Sequence, residues 1–172
     1  MDWLMVLLRI VHVVTAVFWV GSNFLLVGFA HPTAKKEGVA GQEWLKRLYI
    51  TSNLGRLLGA AALLTIISGL WMYWRISGFR AAYITSTYGA ALAIGGLFAI
   101  IAFIVAAAIT ARSSGRVEAL DKQIRAVGGT ATPEQQAELE ALWERIRKGD
   151  IIHAILLVVV VIAMSSAQYL RF

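Results

Sequence analysis

Residues 3–30 read WLMVLLRIVHVVTAVFWVGSNFLLVGFA, and this stretch decides the fold. Only Arg9 and His12 interrupt an apolar run that exceeds the roughly 20 residues a helix needs to cross the hydrocarbon core of a bilayer. A signal peptide has a shorter apolar region that follows basic residues, and neither feature is present. We therefore interpret the stretch as a retained transmembrane helix.

Three further apolar stretches have the length of a transmembrane helix, which gives predicted spans at residues 3–30, 57–74, 81–111 and 151–169. The composition agrees, because only 15% of the residues are charged, compared with about 25% in a typical soluble domain. The sequence therefore predicts an all-α fold, an integral membrane four-helix bundle that forms a single domain over residues 1–172.

The basic residues between the spans predict the orientation, because loops rich in Lys and Arg stay in the cytoplasm. The loops after the first and third spans hold twelve of these residues, and the opposite side holds four: Arg9, Arg75, Arg80 and Arg171. We therefore expect a multi-pass protein of the cell inner (plasma) membrane with both termini outside.

Residues 112–150, between the third and fourth spans, predict a cytoplasmic antiparallel helical hairpin that extends both spans. Apolar residues recur there every three or four positions, which is the spacing of a coiled-coil seam. These residues are Val117, Leu120, Ile124, Val127, Leu139, Leu142 and Ile146. Gly128 and Gly129 mark the turn, and residues 132–135 (TPEQ) read as a capped helix start. The hairpin is either a rigid connector or a docking site for a soluble partner.

Polar side chains follow one face of the first span, at His12, Thr15, Trp19, Ser22 and Asn23. Because polar groups are costly in hydrocarbon, this face should point into the bundle. There it either hydrogen-bonds neighbouring helices or lines a cavity for a cofactor or substrate. Small residues along the second and third spans allow close helix packing, either within the bundle or in a homo-oligomer or larger membrane complex.

Three histidines are the candidate metal ligands of a chain that has no cysteine. His12 lies inside the first span, where an imidazole ligates heme iron or copper, or hydrogen-bonds a neighbouring helix. His31 and His153 lie near the cytoplasmic ends of the first and fourth spans. Because His12 and His153 differ in depth, they pair poorly on one iron, whereas Met72 and Met164 lie level with His12.

The remaining candidates each have two interpretations. Met72 and Met164 either supply a thioether ligand to heme or copper or only fill space. Arg9 either extends to the lipid headgroups or pairs with the propionates of a porphyrin.

The sequence has no Ser-His-Asp set, phosphate-binding loop or paired intramembrane carboxylates, which excludes a soluble-type hydrolase or kinase. Nucleic acid is not an expected partner, because the basic residues lie between spans rather than in one patch.

A family resemblance adds to these interpretations. Residues 12–14 read HVV, residues 18–21 read FWVG, His31 follows at the helix end, and residues 46–49 read KRLY. Together with a glycine-rich second span, these motifs resemble the HemJ-type protoporphyrinogen oxidases and the related membrane domain of CopD-like copper-resistance proteins. The resemblance covers roughly the first 75 residues. It implies a four-helix membrane protein that binds heme b through His12 and exchanges electrons with a membrane partner.

The second half of the chain departs from that family. Residues 81–84 read AAYI and lack the His and Lys of the oxidases, and residues 148–150 read KGD in place of their Asn-Glu-x-Pro motif. We therefore do not expect protoporphyrinogen oxidase activity. The sequence favours a heme b-binding membrane protein that acts in electron transfer or as a membrane oxidoreductase, with a membrane redox partner or a quinone. The alternatives are a cofactor-free accessory subunit of a larger complex and a copper-handling membrane protein.

Overall fold

The computed structural model describes residues 2–170, which form helices joined by short connections and contain no strand. Four helices are long and apolar enough to cross a bilayer: α1 (Trp3–Lys36), α3 (Leu54–Ser77), α5 (Thr87–Ala126) and α6 (Pro133–Leu170). Two short helices, α2 (Gly38–Lys46) and α4 (Ala81–Ile84), lie in the connections. The prediction of an all-α fold with four helices that could span a membrane is confirmed.

The helices begin and end at different residues from the apolar stretches. Helix α1 continues beyond Ala30 to Lys36, through a π-helical turn at Leu26–Ala30 that directly precedes His31 and Pro32. Proline has no N–H to donate to the preceding turn, so a locally widened helix accommodates it.

The third long helix begins at Thr87, after the separate turn α4. Ser86 caps this helix, because its hydroxyl accepts a hydrogen bond from the Gly89 N–H at 3.1 Å. A hydroxyl at the N-cap satisfies one of the free N–H groups of the first helical turn, which makes this residue a favoured helix start.

Helices α5 and α6 extend past their apolar stretches as a pair joined by a turn at residues 127–132. The side chain of Thr132 accepts from the Gln135 N–H at 3.3 Å, and the Gln135 side chain accepts from the Thr132 N–H at 2.9 Å. This capping box starts α6. Val117 is fully buried in the seam, but Val127 is 77% exposed and takes no part in it, because α5 ends at Ala126.

The four long helices form two closely packed pairs, α1 with α3 and α5 with α6. The pairs meet around Trp19 of α1 and Leu157 of α6, which are buried against small residues of the other two helices. These small residues are Ala61, Ala62, Ala99 and Ala102. In this chain, therefore, those four alanines serve the internal bundle, because a methyl group lets neighbouring backbones approach closely.

The two ends of the bundle differ in character. At one end Arg75 of α3 lies 3.0 Å from Asp2, which accepts its hydrogen bond just before α1 begins. We call this the terminal end. At the other end lie α2, the C-terminal part of α1 and the turn between α5 and α6, and we call this the hairpin end.

Candidate functional site

The polar face of α1 points into the bundle, as its spacing predicts. Trp19 and Asn23 are buried, and His12, Thr15 and Ser22 are half-buried. Thr15 shares a hydrogen bond of 2.8 Å with the hydroxyl of Thr65 on α3. The polar face therefore contacts α3 towards the terminal end and α6 nearer the hairpin end.

His12 is held in one orientation by α3. Its Nδ1 lies 2.7 Å from the carbonyl oxygen of Thr65, which accepts only, so Nδ1 carries the proton and donates it. The ring lies on Gly69, where an added Cβ would stand only 2.8 Å from the ring carbon Cε1. Nε2 has no hydrogen-bond partner in the part of the chain that the structure describes. This tautomer leaves the Nε2 lone pair available.

The other residues predicted to bind a cofactor are placed differently. Met164 packs on Gly95 of α5, where an added Cβ would lie 2.9 Å from its methyl carbon. Met72 follows Ser68 by one turn of α3 and therefore lies on the face that His12 contacts. Arg9 is exposed and forms no ion pair with any described residue. Met72 is thus better placed than Met164 to serve the same group as His12.

His153, on α6, contacts α1 at a point well away from His12. Its ring centroid is 5.5 Å from that of Trp19, and its Nδ1 lies 3.1 Å from Nδ2 of Asn23. Those two contacts are 7 and 11 residues beyond His12, which is roughly 10–16 Å at 1.5 Å per residue. The geometry supports the depth argument, because two imidazoles separated in this way do not reach one iron.

Two buried polar atoms near His153 lack a partner among residues 2–170. They are Nε2 of His153 and Oδ1 of Asn23. An unsatisfied polar atom in a protein interior costs free energy, and native structures usually satisfy it with a water molecule or a ligand atom. The pair marks a place where the interior of the bundle offers hydrogen bonds to a small polar molecule.

The most complete polar cluster surrounds Asp150 near the hairpin end. Its Oδ2 accepts from the hydroxyl of Tyr49 at 2.5 Å and from Nε2 of His31 at 2.8 Å, and its Oδ1 accepts from the hydroxyl of Thr110 at 2.8 Å. Asp150, His31 and Tyr49 are buried, and Thr110 is half-buried. Three side chains from separate segments therefore donate to one buried carboxylate. We call these four residues the Asp150 centre.

Three π-helical turns converge on the Asp150 centre. The turn Leu26–Ala30 ends directly before His31, the turn Arg47–Thr51 contains Tyr49, and the turn Ala106–Ala111 contains Thr110. A π turn inserts a residue and rotates the side chains that follow it, and such turns are frequent at functional sites. Here they direct three donors at one carboxylate.

Tyr49 remains a hydrogen-bond donor over the physiological pH range. Burial of the phenol raises its pKa well above the usual value of 10.0, and the nearby Asp150 carboxylate raises it further. A phenolate beside an ionised carboxylate would place two like charges in a site of low dielectric constant.

The structure limits the metal-binding interpretation. His31 directs its Nε2 at Asp150 and at the Tyr49 hydroxyl, so that nitrogen is already engaged. Among the described residues, no three His, Asp or Glu side chains are grouped closely enough to hold a metal ion.

Sequence reasoning named only His31 of the Asp150 centre and missed the other three members, Asp150, Tyr49 and Thr110. Thr110 is a lone hydroxyl at the end of an apolar run, and Tyr49 lies in a basic loop. The available signal was the proline directly after His31, which indicates a locally irregular helix beside a histidine.

Comparisons of the chain with protein-family models, with curated proteins and with solved structures found no match in any of the three. The class therefore rests on the fold alone, an all-helical protein with four helices long and apolar enough to cross a membrane.

Proposed function

We propose that this protein binds heme b through His12 and transfers electrons at the membrane. The orientation of one imidazole carries the proposal: Nδ1 donates to the Thr65 carbonyl, and Nε2 has no partner among the described residues. Histidines that ligate a metal almost always donate their other N–H to a carbonyl or carboxylate, which fixes the ring and makes the ligating nitrogen more basic.

The surroundings of His12 define how a porphyrin would be held. Two cavities lie at the hairpin end, and His12 lines neither of them. Because the ring packs closely on Gly69, the porphyrin would lie at the surface of the α1–α3 pair rather than in an enclosed pocket. Arg9, one turn away and without an ion pair in residues 2–170, would pair with a propionate, and Met72 is the candidate second ligand.

We further propose that the hairpin end faces the cytoplasm and that the bilayer is the plasma membrane. The loops at that end carry twelve of the sixteen Lys and Arg residues. Heme at His12 would then lie towards the outer side. Electrons would pass to or from a membrane redox partner or a quinone.

An absorbance spectrum of the purified protein tests the heme proposal. We expect a Soret band in the wild type, loss of that band in His12→Ala, and its retention in His153→Gln, which changes a histidine that faces a different part of the bundle. Circular dichroism and size-exclusion chromatography verify that each variant is folded. A colourless, folded wild-type protein purified from cells supplied with heme would refute the proposal.

A cofactor-free accessory subunit is the second candidate, and one observation favours it. The interior is closed by buried alanines around Trp19, which leaves a compact scaffold. On this account the purified protein is colourless and free of metal, and it copurifies with other membrane subunits. Copper handling is the third candidate, and metal analysis of a colourless sample separates it from the second.

A further inference from the structure

A cavity of about 410 Å³ lies between α5 and α6 at the hairpin end. Its wall combines apolar residues, Ile109, Gly149 and Ile152, with two cations, Arg145 and Lys148. The helices approach closely beside it, because an added Cβ at Gly149 would stand 2.7 Å from a methyl carbon of Ile109. The cavity is separate from the Asp150 centre, and none of the four residues of that centre lines it.

The cavity carries positive charge, which Glu144 offsets only in part through a longer-range attraction to Lys148. Arg145 and Lys148 are exposed, and neither forms an ion pair in the described part of the chain. Glu144 also lines the cavity, but its carboxylate binds Arg147 at 2.9 Å and lies 3.8 Å from Lys35. The two cations are therefore available to an anion.

The cavity lies where the sequence of α6 changes from charged to apolar. Arg145, Lys148 and Ile152 follow one face of the helix at spacings of three and four residues. The sequence is highly charged up to Asp150 and apolar from Ile151 onwards, and Ile152 is 46% exposed. A ligand on this face meets cations first and apolar side chains roughly 10 Å deeper, at 1.5 Å per residue.

We propose that this cavity binds an anionic phospholipid of the surrounding bilayer. The phosphate oxygens accept hydrogen bonds from the guanidinium of Arg145 and the ammonium of Lys148, and an acyl chain follows Ile152 into the hydrocarbon. Basic pockets between transmembrane helices recognise anionic headgroups by this chemistry, because the charges attract at the headgroup level and the chain stays in apolar surroundings. A zwitterionic lipid lacks the net charge and binds less tightly.

Native mass spectrometry of the full chain in detergent tests the proposal, with phosphatidylglycerol and phosphatidylcholine as probes. We expect the wild type to retain phosphatidylglycerol in preference to phosphatidylcholine. The double variant Arg145→Gln/Lys148→Gln should bind phosphatidylglycerol about 25-fold more weakly, at about fivefold for each cation near a membrane surface. Equal retention of the two lipids by the wild type would overturn the proposal.

Two further variants separate a built site from diffuse attraction. Lys122→Gln/Arg125→Gln removes the same charges near the turn between α5 and α6, and we expect it to retain the lipid. Ala141→Trp fills the cavity without changing any charge, and we expect it to lose the lipid. Equal weakening by both double variants, or full retention by Ala141→Trp, would contradict the proposal. So would displacement of the lipid by millimolar inorganic phosphate, since the site would then recognise a free anion.

Discussion

Replacing Asp150 by alanine should destabilise the protein strongly, because the carboxylate is the common acceptor for side chains from three other segments. His31, Tyr49 and Thr110 all donate to it at 2.5–2.8 Å, from positions 119, 101 and 40 residues away. The variant leaves a buried imidazole and two hydroxyl groups without their acceptor. The substitution therefore affects α1, α5 and α6, and also the connection between α2 and α3 that contains Tyr49.

The size of the effect follows from the burial of the pair. Side chains of His31 and Asp150 are each only 4% exposed. Leaving a buried donor without its acceptor costs about 1–3 kcal/mol, so we expect a loss of about 3–5 kcal/mol for the three donors together. For a chain of this length about 1 kcal/mol corresponds to roughly 2–4 °C in Tm. We therefore expect Asp150→Ala to lower Tm by about 6–20 °C.

Thermal unfolding in detergent, followed by circular dichroism, measures this difference. Glu138→Ala is the matched control, because it removes a carboxylate from an exposed ion pair with Arg116 and should cost about 1 kcal/mol or less. A double variant, His31→Leu/Asp150→Leu, also removes the imidazole and should recover part of the lost stability, while Tyr49 and Thr110 remain without their acceptor. A Tm for Asp150→Ala within 2 °C of the control (about 1 kcal/mol) would refute this account of the centre.

The remaining expectations concern Tyr49 and Gly69. The unfolded chain ionises Tyr49 near pH 10 while the folded chain keeps it protonated, so the free energy of unfolding should fall as pH rises from about 10 towards the raised folded-state pKa. Denaturant titrations at a series of pH values measure this fall, and Tyr49→Phe should abolish it. If the free energy of unfolding of Tyr49→Phe fell with pH as steeply as that of the wild type, the buried phenol would not be the cause. Gly69→Ala should displace the His12 ring and cost about 1–3 kcal/mol, because its Cβ would lie 2.8 Å from that ring. Gly59→Ala, which meets open space, should be tolerated when both are compared by Tm and Soret absorbance.

The parts of the fold that depend on local pattern were predictable. Hydropathy identified four spans, and a 3.6-residue period placed Trp19 and Asn23 on the buried face of α1, because a helix that crosses lipid hides its polar groups against its neighbours. The capped start at Thr132 was also readable, since a capping box involves residues only three apart.

The Asp150 centre was not predictable by the same reasoning. Its members come from separate parts of the chain, and three π turns shift the helical register next to them. Spacing rules assume a regular helix, so they assign the wrong face to a residue that follows such a turn. Val127 shows the same limit, because the seam spacing includes it although the helix ends one residue earlier.

Heme content per chain, measured as the pyridine hemochrome of the purified protein, tests the proposed role of His12 most directly. We expect about one heme b per chain in the wild type and a much lower heme content in a folded His12→Ala variant. Equal heme content in the two proteins would show that another residue holds the group, and a folded wild-type protein without heme would contradict the redox role itself.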